Sequence, residues 1–527
     1  MFEAAQARGR SVTRPSSGAR VSQTASTPPP VGGWNARDAV SAMPIQDALQ
    51  LDNFWPTPSD VMLRKGYTQF CTGFGSVVES LMSYQSPGGT STLFAASGTA
   101  FYTVASGAVA AAVVTGLTNA RWDAVNYTNS SAASYLCAFN GVDAPRYWDG
   151  SAWTAITGAS TPAITGVTTT KLKAPMVHKR RLWFIEDTTL KAWYLPVDAV
   201  GGAANAIDLA GIMKRGGALI ALGSWTIDGG DGVDDYWVAV STMGEVVTYR
   251  GTDPSAASTW TLQGVWQMGR PIGGTRCLIK YGGDLLYSSS AGVVPLALAL
   301  QSATVDRSIN VSDKIQKAMQ DATDLYGATF GWCMMYYPAA QMLLVNVPTL
   351  SGSLSDQYVM NTVSMAWARF KDIYASCWVD HAGIPYFGGS TFVGQFWQVY
   401  ADNSNNINGD VTQAFSYFGM PGVLKSWLMA RMVLLAESAP AVTLVMNTDF
   451  STGLPISTAT FSGGVAGLWD SGVWDVDVWG SDLNVYRDWQ TISGYGQAGA
   501  LRAQVSAKLI EVRWQATDWV FEAGGVL

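Results

Sequence analysis

The residues best placed to bind a metal ion are three aspartates in a glycine-rich stretch, Asp228, Asp231 and Asp234. Carboxylates carried on one short loop are ligands that suit Ca²⁺. Their spacing does not follow the EF-hand loop, and a solvated turn between two strands has the same composition. The stretch is therefore a weak calcium candidate, and the sequence predicts neither a firm metal site nor a cofactor.

Histidine could supply a general base or a zinc ligand, but the chain contains only His178 and His381. A Ser-His-Asp triad would have to use one of them, and a zinc site needs three or four converging ligands. His178 is followed by three basic residues, which disfavour its protonated form. Cys377 and His381 would share one side of a strand without further ligands. Both histidines are predicted to be structural.

Two adjacent acids, Glu186 and Asp187, could suggest glycoside hydrolysis, which uses a pair of carboxyl groups around the scissile bond. Because they are neighbours in a hairpin turn, their adjacency says little about catalysis. No enzyme signature emerges from the sequence, and the protein is predicted not to be an enzyme.

The composition is typical of an all-β protein. Apolar residues make up 48% of the 527 residues and charged residues only 13%, which excludes a disordered or coiled-coil protein. Glycine is abundant at 55 residues, and only seven of the 39 acidic residues are glutamate. Asp and Gly favour turns, whereas Glu favours helices.

Charge and apolar patterning limit the possible partners and compartments. The net charge is −7, so the chain lacks the dense basic surface that nucleic-acid binding requires. The one basic segment is short and carries Arg8, Arg10, Arg14 and Arg20. The first 30 residues lack the apolar core of a signal peptide, and the longest apolar run, 108–114, is too short to span a membrane. The five cysteines, an odd number with no CxxC pair, are predicted to be buried thiols of a chain folded in a reducing cytosol.

A repeat runs through the middle of the chain. Seven hairpin-like units, each an apolar strand, a small turn and a second aromatic-rich strand, start 42 to 57 residues apart at 93–104, 135–148, 182–195, 236–249, 285–298, 342–361 and 384–399. Antiparallel units at this period indicate a β-propeller, because a single four-stranded sheet cannot cover both of its own faces. A series of unrelated β-meanders in a sandwich is the alternative.

The predicted fold is all-β, a β-propeller of six or seven blades between an N-terminal segment and a C-terminal β-sandwich-like domain. The boundaries are a flexible basic arm at 1–33, a platform segment at 34–83, the propeller at 84–402 and the C-terminal domain at 403–527. One helix is expected as an insertion in the propeller near 312–324. It would begin at an N-cap, Ser312, and place Ile315, Met319 and Ala322 on one face.

Several segments in one order resemble the nozzle, or tail tubular, proteins of short-tailed bacteriophages. They are spread over nearly the whole chain, at 30–38, 51–58, 63–67, 93–98, 312–315, 469–480 and 522–527. The resemblance implies a homohexameric ring below the portal and the tail adaptor protein. Such a ring encloses the DNA exit channel and contacts tail fibre or tailspike proteins.

The resemblance also implies a location and a mode of action. The chain would be assembled in the host cytoplasm into the tail of the virion, where the ring retains the genome until receptor engagement. Double-stranded DNA would pass through without specific binding, which suits an acidic chain. Docking to the adaptor is assigned to six residues of the platform segment, Trp34, Asn35, Arg37, Trp55, Arg64 and Tyr67. The alternative function is that of a carbohydrate-binding or carbohydrate-active propeller.

Overall fold

A computed structural model describes residues 22–226, 235–301, 310–350, 354–455, 457–461 and 483–526. Seven groups of three or four antiparallel strands follow one another along the chain as the blades of a propeller, and the sixth is part of a ten-stranded sheet. Each hairpin predicted from the sequence supplies the second and third strands of one blade, since these strand pairs need only a short turn.

The strands of the blades, in chain order, are these. Blade one has Val78–Gln85, Ser91–Ser97 and Ala100–Val104; blade two has Asp123–Thr128, Ser134–Phe139, Arg146–Trp148 and Trp153–Ala155; blade three has Leu172–His178, Arg181–Glu186, Lys191–Tyr194 and Asn205–Asp208. Blade four has Leu219–Trp225, Tyr236–Ser241, Glu245–Gly251 and Trp260–Gln267; blade five has Leu278–Tyr281, Asp284–Ser289 and Gly292–Pro295. Blade six has Cys333–Tyr337, Met342–Leu350, Leu354–Asn361 and Trp367–Phe370; blade seven has Cys377–His381, Ile384–Gly388 and Phe392–Phe396.

The blades form a closed ring. The first strand of each blade contacts the first strand of the next, and Cys377–His381 of blade seven returns to Val78–Gln85 of blade one. The early strand Tyr67–Thr72 completes blade seven by pairing antiparallel with Phe392–Phe396. The prediction of an all-β propeller is therefore confirmed, and the ring has seven blades.

Aromatic side chains fill the space between blades. Trp183 of blade three and Trp237 of blade four are both fully buried, with their ring centroids 5.2 Å apart. Trp260 of blade four stacks on Trp183 at 5.7 Å. The heavy tryptophan content thus covers sheet faces that no single blade could cover by itself.

A β-sandwich is built from both ends of the chain, with its two sheets facing each other across a shared core. One sheet contains Ser22–Thr27, Phe54–Pro56, Val61–Leu63, Val423–Ala436, Asn484–Tyr486, Gln490–Gly496 and Val512–Val526. The other contains Gly33–Trp34, Asp47–Asp52, Ile407–Gln413, Ala441–Thr448, Ser457–Thr458 and Gly499–Ala507. Short parallel pairs outside these sheets join Ile164–Thr165 to Gly202–Ala203 and Gly107–Ala108 to the closing strand of blade seven.

These pairings place the domain borders differently from the sequence prediction. Strand Ser22–Thr27 lies within the predicted flexible arm, yet it pairs with Val512–Val526 in the sandwich. The predicted platform segment at 34–83 is shared, because its first part joins the sandwich and Tyr67–Thr72 belongs to the propeller. The predicted C-terminal domain is not separate either: Gly33–Trp34 bridges a sandwich sheet to the outer strand of blade six.

Helical structure is sparse. The helix Gln316–Tyr326 lies between blades five and six, preceded by a 3-10 turn at Asp313–Ile315. Ile315, Met319 and Ala322 are buried on one face. Ser312 does not cap the helix through its side chain; its Oγ instead accepts a hydrogen bond from the Val293 backbone N–H. A second short helix, Leu296–Gln301, and 3-10 turns at Thr169–Lys171, Gly274–Arg276 and Pro338–Ala340 complete the elements of the described residues.

Replacing Gly388 with alanine is expected to lower the free energy of unfolding by about 1–3 kcal/mol. Gly388 lies where blade seven meets blade one, and an added Cβ would overlap the backbone oxygen of Val78 and lie 2.7 Å from Cys377 Sγ. Gly75 is a matched control, since a Cβ there meets no atom within 4 Å. Denaturant unfolding of Gly75→Ala should agree with wild type within about 0.5 kcal/mol. Equal stability of the two variants would contradict the expected clash.

Candidate functional site

Five of the six residues assigned to adaptor docking are buried inside this chain: Trp34, Asn35, Trp55, Arg64 and Tyr67. Only Arg37 is exposed, and its guanidinium bonds to Asp38 and Asp313. A side chain buried against its own chain offers no surface to a partner. The structure thus corrects the assignment: these residues form an internal joint, which we call the N-terminal joint, between the N-terminal segment and the rest of the molecule.

The two tryptophans of the joint pack on blade six and its neighbour. The ring of Trp34 meets that of Tyr358 edge-on at 5.2 Å, with the Arg369 guanidinium 5.3 Å from the Trp34 ring. Trp55 meets Trp397 edge-on at 5.7 Å. Both contacts attach the N-terminal segment to the propeller rather than to solvent.

Polar residues of the joint are bonded internally. The Asn35 amide donates to Asp47 at 2.8 Å and to Asp38 at 2.9 Å. The Arg64 guanidinium donates to both oxygens of Asp402, at 2.8 Å from Nη1 and 2.6 Å from Nη2. Tyr67 stacks on Phe392 within blade seven. Buried charges of this kind are stable only when paired and hydrogen-bonded, as Arg64 is.

The calcium candidates Asp228, Asp231 and Asp234 lie outside the residues that the structure describes. Within the described residues, no group of three or more His, Cys, Asp or Glu side chains is arranged to hold a metal ion.

Both histidines are bonded to serines of neighbouring blades. His178 is 2% exposed, and its Nδ1 lies 2.9 Å from Ser224 Oγ. Burial, reinforced by the charge of Lys179 and opposed by that of Asp235, lowers the His178 pKa to about 4. His381 Nδ1 lies 2.9 Å from Ser83 Oγ, and burial lowers its pKa as well. Both imidazoles are therefore neutral. His178 joins blade three to blade four, and His381 joins blade seven to blade one.

Glu186 and Asp187, the adjacent acids considered for glycoside hydrolysis, both bond to residues of blade three. Glu186 accepts a hydrogen bond from Trp193 Nε1 at 3.1 Å, and Asp187 forms an ion pair with Lys173.

The five cysteines are free and buried, as predicted. Burial raises the pKa of the Cys137 thiol to about 12, so this sulfur stays protonated at neutral pH.

The sequence did not predict the feature at the end of the propeller channel, which we call the channel mouth. It is a cavity of about 740 Å³ at the end where the inner strands begin. Arg276 spans it from blade five, because its Nη2 donates to Ser80 Oγ of blade one at 2.7 Å and its Nε lies 3.4 Å from Asp123 of blade two. A single arginine in a short turn carries no signal by which the sequence could have revealed this role.

No protein-family model and no curated protein matches the chain. Among solved structures it is similar to BBS1N in its complex with ARL6DN, at 11% identity and a TM-score of 0.40, over 63% of this chain and 95% of that one. It is also similar to the β-propeller domain of Myceliophteria thermophila Cps50 (Swd1), at 12% identity and a TM-score of 0.37, over 62% and 99%. It is similar to Saccharomyces cerevisiae Sqt1 as well, at 9% identity and a TM-score of 0.38, over 63% of this chain and 99% of that one. The fold assignment rests on the strand pairing described above.

None of the helices in the described part of the chain is both long and apolar enough to cross a bilayer.

Proposed function

We propose that the chain is a structural subunit of a short-tailed bacteriophage tail, a nozzle protein that acts by assembly rather than catalysis. The sequence resemblance along most of the chain is the first support. In this proposal six copies form a ring around the DNA exit channel, between the adaptor above and the fibres or tailspikes.

The observation that carries the proposal is the continuity between sandwich and propeller. One sheet runs from blade six through Gly33–Trp34 and Asp47–Asp52 into the sandwich, and one apolar core extends across both. The buried Arg64–Asp402 pair ties the same regions together. A subunit that forms part of a channel wall needs its domains fixed relative to one another. Motion between domains is restrained when their interface is large and apolar.

Surface properties of the sandwich also favour permanent contacts between copies. Large apolar side chains are exposed on it, at Phe450, Leu454, Val485, Tyr495 and Leu509. Phe450 packs on the buried Phe415, with ring centroids 5.0 Å apart. Exposed apolar groups of this kind mark interaction surfaces more often when they cluster.

Quantitative mass spectrometry of virus particles from the natural source of the chain tests the proposal. We expect this chain at about six copies for every twelve portal subunits, as a hexameric tail ring requires. A major capsid protein, quantified in the same run, controls for particle recovery.

Absence of the chain from intact particles would contradict the tail assignment. A thermal-shift panel of glycans then tests the carbohydrate alternative, which requires that at least one glycan raises the melting temperature.

A further inference from the structure

Residues from five consecutive blades, two to six, line the channel mouth. Four of them, Asp123, Lys173, Ile220 and Trp332, lie at or next to the start of an inner strand. A cavity of about 740 Å³ falls within the range of ligand sites, and convergent polar groups are what such sites use to fix a ligand. This feature is independent of the proposed tail function.

The wall of the channel mouth is richer in positive charge than the acidic chain around it. Arg121, Lys173 and Arg276 line it, and Asp123 is the one acidic residue among the described residues of the wall. Arg121 and Lys173 also pair with Glu79 and Asp187, which lie outside the wall. The described lining of the cavity therefore carries three basic residues and one acidic residue.

Two guanidinium groups are gathered at one aromatic ring. The Cζ atom of Arg121 lies 4.2 Å from the centroid of Phe330, and that of Arg276 lies 5.2 Å from it. Each gains from the face of the ring, and neighbouring positive charges repel one another. An anion bound near both guanidinium groups would offset that repulsion.

Arg276 also has an unused donor. Its Nη2 and Nε are bonded to blades one and two, whereas Nη1 is buried and has no hydrogen-bond partner among the described residues. A buried N–H without an acceptor destabilises the protein until an acceptor reaches it. Guanidinium groups bind carboxylates in a planar, two-bond geometry, which would satisfy this nitrogen.

We propose that the channel mouth binds a carboxylate group, supplied by a small organic acid or by an acidic side chain on a loop of a partner protein. The cavity holds one small acid or a few peptide residues and is too small to admit a DNA duplex. Phe330 and Ile220 supply the apolar surface that the carbon skeleton of such a ligand would contact.

Isothermal titration of the full chain at low ionic strength tests this assignment, with glutarate, an acetylated tri-glutamate peptide and inorganic phosphate as probes. We expect one carboxylate ligand per chain. Arg121→Gln should weaken its binding by about tenfold or more, because one charged hydrogen bond is lost. Arg121 is 54% exposed, so this variant should fold.

Arg431→Gln is the matched control. Arg431 likewise pairs with an acid, Asp518, and lies 4.5 Å from an aromatic ring, that of Trp489, but in the sandwich. Carboxylate affinity of this variant should stay within about twofold of wild type. Phe330→Leu, which removes the ring without a charge change, should also weaken binding.

Tighter binding of the peptide than of glutarate would support a partner protein as the source, and the reverse order would support a small acid. No binding of either carboxylate, phosphate binding tighter than both, or equal weakening by Arg121→Gln and Arg431→Gln would each overturn the assignment.

Discussion

Replacing Arg64 with methionine is expected to lower the free energy of unfolding by about 3–5 kcal/mol. The Arg64 side chain is 0% exposed and bonds to Asp402, to Asn53 Oδ1 at 2.8 Å and to the Lys371 carbonyl at 2.9 Å. Methionine fills similar volume but donates no hydrogen bond, so the Asp402 carboxylate would remain in the core without its counter-charge. Denaturant unfolding monitored by tryptophan fluorescence measures the loss.

A more exposed ion pair gives the control for this effect. Arg431 pairs with Asp518 at 2.7 Å but is 30% exposed, so Arg431→Gln should cost no more than about 1 kcal/mol. Adding Asp402→Asn to Arg64→Met should recover part of the loss, because the unpaired charge is then removed. A cost for Arg64→Met no larger than that for Arg431→Gln would show that the N-terminal joint does not depend on this pair.

The propeller could be predicted from the sequence because its repeating unit is local. In the hairpin Arg181–Glu186 with Lys191–Tyr194, both strands and the turn lie within a few residues of one another. Alternating apolar residues and a polar turn are enough to define such a pair. The same local pattern recurs in every blade, which is why the number of hairpins matched the number of blades.

The ring closure and the N-terminal strands of the sandwich could not be predicted in the same way. Tyr67–Thr72 pairs with Phe392–Phe396, and Ser22–Thr27 pairs with Val512–Val526, across most of the chain. Nothing in a short strand specifies a partner so distant in sequence. The domain borders were misplaced for this reason, since strands near the N-terminus complete sheets whose other members come near the C-terminus.

Residue type alone did not distinguish an external contact from an internal one. Trp and Arg dominate the centres of protein interfaces, and Trp34, Trp55 and Arg64 do form an interface. That interface joins two parts of the same chain, and only the tertiary structure shows which surface covers them. At the channel mouth, residues far apart in the sequence form one site. Arg121 and Phe330 are 209 positions apart, so no local motif links them.

Lowering the pH from 7 to 4.5 is expected to reduce the free energy of unfolding by about 2.5 kcal/mol through His178. Its pKa is about 4 in the folded protein, because burial excludes the charged form, and about 6.5 in an unfolded chain. Between these values the unfolded chain binds a proton that the folded one does not. The contribution is therefore fully present above pH 6.5, decreases as the pH falls, and levels off below pH 4.

Unfolding of wild type, His178→Gln and His381→Gln at several pH values between 7 and 4.5 separates this contribution from others. Glutamine can still bond to Ser224 but does not titrate, so His178→Gln should lose the contribution of about 2.5 kcal/mol between pH 7 and 4.5 that wild type shows. His381→Gln should lose less, because His381 is only partly buried. The aspartates whose pKa values are lowered, such as Asp149 and Asp410, titrate below their ordinary value of 3.8 and so contribute little in this window. Burial raises the pKa of Asp284, Asp356 and Asp380, so these groups favour the folded state as the pH falls and act in the direction opposite to His178. An unchanged slope in His178→Gln would mean that water or a shifted side chain solvates the protonated imidazole, and that His178 does not govern the acid sensitivity of the ring.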